Sequence, residues 1–134
     1  MQHQIKIEKN QTGLPLGEIL KVIDGQKYEW KLVWIYAVGK LSGRYSMLTL
    51  EDAVKNREGG LPVSWEYLNH IACSIEDAYD IVINGEFILH KAENSKEGRN
   101  AEGGDLQLEL FDSSYWLLKT NDTALAQQFA ALDQ

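Results

Sequence analysis

The chain has 134 residues, 44% of them apolar and 25% charged, with 13 Lys and Arg against 20 Asp and Glu for a net charge of −7. That length and balance predict a single globular domain with one real core and exclude wholesale disorder. No apolar run approaches the roughly 20 residues needed to span a bilayer. The opening Met1-Gln2-His3-Gln4-Ile5-Lys6 has no apolar signal core, and the single cysteine, Cys73, allows no internal disulfide, so a cytoplasmic protein without a membrane partner is expected. The charge is unevenly placed. Residues 1–61 carry nine Lys/Arg and seven Asp/Glu, whereas residues 62–134 carry four and thirteen. An acidic half repels nucleic acid and attracts basic protein surfaces, so no nucleic-acid partner is expected.

In chain order, Gln4–Lys9 alternates as a short strand, and Leu16, Ile19, Leu20 and Ile23 recur at helical spacing up to Asp24-Gly25. Tyr28 to Val38 is the clearest strand. Tyr28, Trp30, Leu32, Trp34, Tyr36 and Val38 share one face by period two, and the other face becomes apolar at Val33, Ile35 and Ala37, which predicts a central strand. Gly39–Ser46 reads as a loop. Thr49 with Asp52 resembles a capping box for a short helix through Val54 that Glu58-Gly59-Gly60 terminates. Ser64 caps the longest expected helix, whose stripe Trp65, Leu68, Ile71, Ala72, Ile75, Ala78, Tyr79 and Val82 is spaced by three, four or one. Asn84-Gly85 fits either a hairpin turn or a helix end. The stripe favours the helix end, followed by a strand from Glu86 to His90.

Residues 92–104 hold no bulky apolar side chain and three glycines, and read as a mobile loop. Leu106, Leu108 and Leu110 alternate with polar residues, Asp112-Ser113-Ser114 turns the chain, and Tyr115–Lys119 returns, making a hairpin. Asn121 or Asp122 caps a final helix carrying Leu125, Phe129 and Leu132. The expected architecture is a two-layer α+β domain spanning 1–134. It has a largely antiparallel sheet of about five strands, helices on one face, and the order β-α-β-α-α-β-β-β-α.

Several patterns bear on chemistry. His70, Cys73 and Asp77 lie three and four apart on the expected long helix, the minimum for an activated thiolate or half a soft metal site. No second Cys-His pair completes such a site, and the bland alternative places Cys73 at the edge of the core. Glu76, Asp77 and Asp80 on that helix, and Glu109 and Asp112 at the late hairpin, are carboxylates that divide acid and base roles where their environments differ. Exposed carboxylates are otherwise simply solvated. Gly59-Gly60 and Gly103-Gly104 match no phosphate-loop or dinucleotide pattern, so no cofactor and no metal are expected. The same five carboxylates, with Tyr79 or Tyr115 as an anchor, also make an acidic face that steers a basic protein partner. Two further readings stay open: a small enzyme using Cys73 with His70 or a carboxylate pair, and a self-associating housekeeping domain that uses the aromatic strand.

Two stretches carry a resemblance. One runs from Gly60-Leu61-Pro62-Val63-Ser64-Trp65-Glu66-Tyr67-Leu68 through Asn69-His70-Ile71-Ala72 to Ala78-Tyr79-Asp80-Ile81-Val82-Ile83-Asn84-Gly85-Glu86-Phe87. The other is Phe111-Asp112-Ser113-Ser114-Tyr115-Trp116. Together they resemble small bacterial immunity proteins of polymorphic or contact-dependent toxin systems. The resemblance covers about half the chain. It implies an acidic cytoplasmic inhibitor without catalytic machinery, dedicated to one toxin, and it carries over no individual functional residue.

Overall fold

The structure is a computed structural model that describes residues 2–8, 14–88 and 105–133. Among the described residues it is an α+β domain with one six-stranded antiparallel sheet and four helices. The elements are β1 (His3–Ile7), α1 (Leu16–Leu20), β2 (Tyr28–Gly39), α2 (Met47–Lys55), β3 (Leu61–Val63), α3 (Trp65–Ser74), β4 (Ile75–Phe87), β5 (Leu106–Phe111), β6 (Tyr115–Thr120) and α4 (Thr123–Ala131). A 3₁₀ turn at Gly25–Lys27 leads into β2. The sheet order is β1-β6-β5-β4-β2-β3. The consecutive strands β4, β5 and β6 form the expected meander. The sheet gains a sixth strand from Leu61–Val63, which pairs with Trp30–Leu32. Three residues are too few to show a period, and that is why this strand is silent in the sequence. No helix among the described residues is long and apolar enough to cross a membrane. The loop expected at 92–104 lies outside the described residues.

Local chemistry sets the helix ends. Ser46 and Thr49 form a reciprocal capping box at the start of α2, replacing the expected start at Thr49. Ser64 Oγ accepts the Tyr67 N–H at 3.0 Å, and Asp122 Oδ1 accepts the Leu125 N–H at 3.1 Å, each satisfying a donor that a helix start leaves free. α1, α3 and α4 bury Leu16, Ile19, Leu20, Leu68, Ile71, Leu125 and Phe129 against one face of the sheet. That inner face presents Leu32, Ile35, Ile81, Ile83, Leu108 and Leu118.

The main correction concerns Ile75–Phe87. These residues continue no helix. α3 stops at Ser74, and β4 begins at once, Ile75 already being extended. Strand β4 then pairs with β2 on one side and β5 on the other. The misreading has a physical cause. Tyr79 and Glu76 are extra residues on β4, since Tyr36 faces Asp80 while Ala37 faces Ala78, and Val38 faces Asp77 while Gly39 faces Ile75. Each bulge lengthens the spacing of core-facing residues from two to three. Core-side positions 75, 78, 81 and 83 therefore imitate a helical stripe. Asn84-Gly85 is consequently neither turn nor helix end but the middle of a strand. A Cβ on Gly85 would lie 3.0 Å from the Trp30 ring, so glycine lets that ring pack close. The strand expected at Glu86–His90 is the end of β4, which closes at Phe87, and residues 89–90 lie outside the described residues.

A third bulge, at Val33, splits the aromatic stripe of β2. Leu32 pairs with Ile83 and Trp34 with Val82, leaving Val33 unmatched. Tyr28, Trp30 and Leu32 point into the core, and so do Ile35 and Ala37. Trp34, Tyr36 and Val38 are turned to the opposite, outer face.

Candidate functional site: the outer face of the sheet

The reversal at Val33 puts large apolar side chains in solvent. Trp34, Tyr36, Val38 and Phe111 are 41%, 51%, 50% and 50% exposed. The registers set their neighbours. One row across the outer face reads Lys6, Leu117, Glu109, Val82 and Trp34. A second holds Tyr36 beside Asp80 on β4 and Phe111 beside Tyr115 across the hairpin. Tyr36 packs on the bulged Tyr79 with ring centroids 5.1 Å apart, and Phe111 stacks on Tyr115 at 5.6 Å. The Lys6 ammonium lies 4.4 Å from the Tyr115 ring centre, and Lys55, from α2 at the sheet margin, lies 5.7 Å from that of Trp34. Contiguous aromatic area of this kind on a small domain marks an interaction surface more often than chance exposure does.

The expected acidic residues sit around this stripe, on strands and not on a helix. Asp77 is level with Val38, Asp80 with Tyr36, and Glu109 with Val82. Asp112 begins the β5–β6 turn. Its φ is 50° and that of Ser113 is 57°, a left-handed pair that suits a tight hairpin but is unusual without glycine. Three hydrogen bonds to β4 hold the turn. Asp80 Oδ1 accepts the Asp112 N–H at 2.8 Å, the Tyr79 carbonyl accepts the Ser113 N–H at 2.7 Å, and the Ala78 carbonyl accepts the Ser113 hydroxyl at 2.8 Å. Residues more than 30 positions apart thus form one fixed corner.

Not every carboxylate in that corner is equally available. Asp80 supports the turn, and Asp77 Oδ2 accepts the Tyr79 hydroxyl at 3.1 Å. That bond and the negative charge of Asp77 push the Tyr79 hydroxyl above its ordinary pKa. Among the described residues, Glu76, Asp77, Asp80, Glu109 and Asp112 are in no ion pair; the ion pairs there are Glu18–Lys21, Asp24–Lys27 and Glu51–Lys55. Gln4, Lys119, Gln107, Asn84 and Lys31 form a neutral-to-basic row across the middle of the outer face, with Glu29 beside Glu86 beyond it and the other acids toward the turn.

The Cys73–His70 arrangement loses one member. Asp77 lies on β4, beyond the end of α3, so the i, i+4 relation of Cys73 to Asp77 does not exist. Cys73 is exposed and not at a core edge. His70 Nε2 lies 3.2 Å from the Ser42 carbonyl oxygen, and its ring packs on Tyr67. No group of three or more His, Cys, Asp or Glu among the described residues is placed to hold a metal ion.

A cleft of about 320 Å³ opens at the turn end of the domain, between α1 and α3 on one side and the sheet on the other. Glu76, Asp77 and Tyr115 border it, so three of the seven candidate residues meet there. Sequence reasoning offers the aromatic strand as a self-association surface but does not place Trp34, Tyr36 and Val38 on its outer side, which follows only from the bulge at Val33, and it does not single out Phe111. The one signal for the first three is that β2 is apolar on both faces. No family model, no curated protein and no solved structure matches the chain.

Proposed function

We propose that this chain is a binding protein of the immunity type, which neutralises one cognate toxin domain by covering it with the outer face of the sheet. The observation that carries the reading is the exposed Trp34–Tyr36–Val38 stripe, continued by Tyr79, Phe111 and Tyr115 and bordered by carboxylates that form no ion pair among the described residues. Aromatic side chains lose little conformational entropy on burial and supply the central anchors of interfaces. Carboxylates at the margin add long-range attraction for a basic partner and set the association rate more than the final affinity. Toxin domains that grip nucleic acid present the positive surface such a margin fits. A cytoplasmic location goes with this role.

The test is co-expression with toxin domains encoded beside this chain's gene, followed by association kinetics on the purified pair. The reading expects growth to be rescued and an association rate that falls at least tenfold between 50 and 500 mM salt. It also expects Trp34→Thr with Tyr36→Thr to weaken binding at least tenfold while the melting temperature holds. No rescue, or binding indifferent to both salt and these substitutions, overturns it.

A further inference from the structure

We propose that the cleft at the turn end is a socket for one long cationic side chain, Arg or Lys, projected by the protein partner. The inference deepens the partner-binding reading and rests on it. Its basis is the layout of the cleft. Leu16, Leu110 and Trp116 are buried and form the floor, while Glu76, Asp77 and the Ser113–Ser114 turn are exposed at the mouth. Among the described residues, no Lys, Arg or His lines it.

That gradient matches a particular shape of occupant. An aliphatic stem gains by lying on the apolar floor, and a terminal cation gains at the mouth, where it keeps part of its water beside Glu76 and beside Asp77, whose Oδ2 already accepts the Tyr79 hydroxyl. A volume of about 320 Å³ is at the low end for ligand pockets, which suits one side chain better than a folded peptide or a large cofactor. The walls are held in advance. Trp116 Nε1 donates to the Leu14 carbonyl at 2.8 Å, tying β6 to the chain entering α1. The Ser113 bonds to β4 fix the turn. An occupant therefore orders little on entry, which favours binding. The mouth adjoins the Tyr79–Asp77 pair and Tyr115, so a partner lying on the aromatic stripe can reach the cleft without rearrangement.

The test uses the full chain and small probes, N-acetyl-arginine methylamide and its uncharged norleucine counterpart, followed by amide and indole NMR shifts. The arginine probe is expected to give saturable shifts at the Trp116 indole N–H and the Ser113 and Ser114 amides, at millimolar probe. The norleucine probe is expected to bind at least fivefold more weakly. Glu76→Gln with Asp77→Asn is expected to weaken the arginine probe at least fivefold while leaving shifts elsewhere in place. Should that variant misfold, the unmodified chain decides, since raising salt from 20 to 500 mM must weaken the arginine probe and spare the norleucine one. No saturable shifts at these sites, equal binding of both probes, or indifference to salt and to the substitutions overturns the socket. The probes need no partner, so the two readings fail separately. Silent probes with Trp34-dependent neutralisation sink only the socket, and bound probes without neutralisation sink only the immunity role.

Discussion

The carboxylate of Asp80 on β4 accepts the backbone N–H of Asp112 at 2.8 Å, joining two acidic residues 32 positions apart. The bond supplies an acceptor to the first N–H of a turn that runs at φ of 50° and 57°. Asp80→Ala is therefore expected to lower stability by about 1 kcal/mol, a typical net value for a partly exposed bond to a charged acceptor. Asp80→Asn keeps the Oδ1 acceptor and is expected to lose less than half of that. Urea denaturation of the three proteins checks the order. Equal losses for Ala and Asn would show that charge, and not the hydrogen bond, matters there.

Tyr28 makes stability depend on alkaline pH. Burial first, then the negative charges of Asp122, Asp105 and Asp24, push its hydroxyl from 10.0 up to about 12. The neutral phenol is thus favoured in the fold. The unfolded chain releases this proton at lower pH, so between pH 10 and 12 it holds fewer protons than the folded one, and stability falls as pH rises. The contribution is intact below pH 10 and is lost through pH 12. At about 1.4 kcal/mol per unit, two units amount to on the order of 2–3 kcal/mol. Denaturation midpoints between pH 9 and 12 should drop more steeply for the native sequence than for Tyr28→Phe. Parallel slopes would remove Tyr28 as the cause.

Gly25 explains how the 3₁₀ turn reaches the core. Its carbonyl accepts the Trp30 indole N–H at 2.9 Å, and a Cβ there would fall 2.0 Å from the Trp65 ring. Trp65 is stacked on Trp30 at 5.2 Å. The ring cannot yield without leaving that stack, so Gly25→Ala is expected to cost about 2–3 kcal/mol, the upper range for overpacking. Gly17, whose added Cβ meets nothing within 4 Å, is the control. Gly17→Ala should be neutral or stabilising in the same thermal melt, given the better helix propensity of alanine.

What the sequence reveals and hides follows from period. β5 and β6 pair without a register break, and Leu106, Leu108 and Leu110 show their strand openly. β2 and β4 share three bulges, and each shifts the pattern by one residue. On β4 the result mimics a helix. On β2 it sends half of an apparent core stripe to the surface. A bulge has no reliable residue signature, so the side of the sheet that Trp34 faces follows only once Leu32 and Trp34 are matched to Ile83 and Val82. The acidic corner was half legible: its members stood out by charge, but their meeting depends on β4 being a strand beside β5. The cleft needs the packing of α1 against the turn end, which no local pattern encodes.

The last expectation separates surface from core among the tryptophans. Trp34 and Trp116 look alike in the sequence, each an aromatic residue within an apolar strand. Trp116 is buried and donates to the Leu14 carbonyl at 2.8 Å, so Trp116→Phe leaves a half-buried acceptor unmatched and a gap where the larger ring stood. The expected loss is about 1–2 kcal/mol. Trp34 has its ring in solvent beside Lys55, and Trp34→Thr keeps a residue with strand propensity, so its stability should change by no more than about 0.5 kcal/mol. Emission spectra check the assignment independently. The Trp34→Thr protein should lose red-shifted, readily quenched intensity, and the Trp116→Phe protein should lose blue-shifted, protected intensity. If Trp34→Thr destabilises as much as Trp116→Phe, the stripe belongs to the packing of the fold, and the case for a docking face on the outer sheet falls with it.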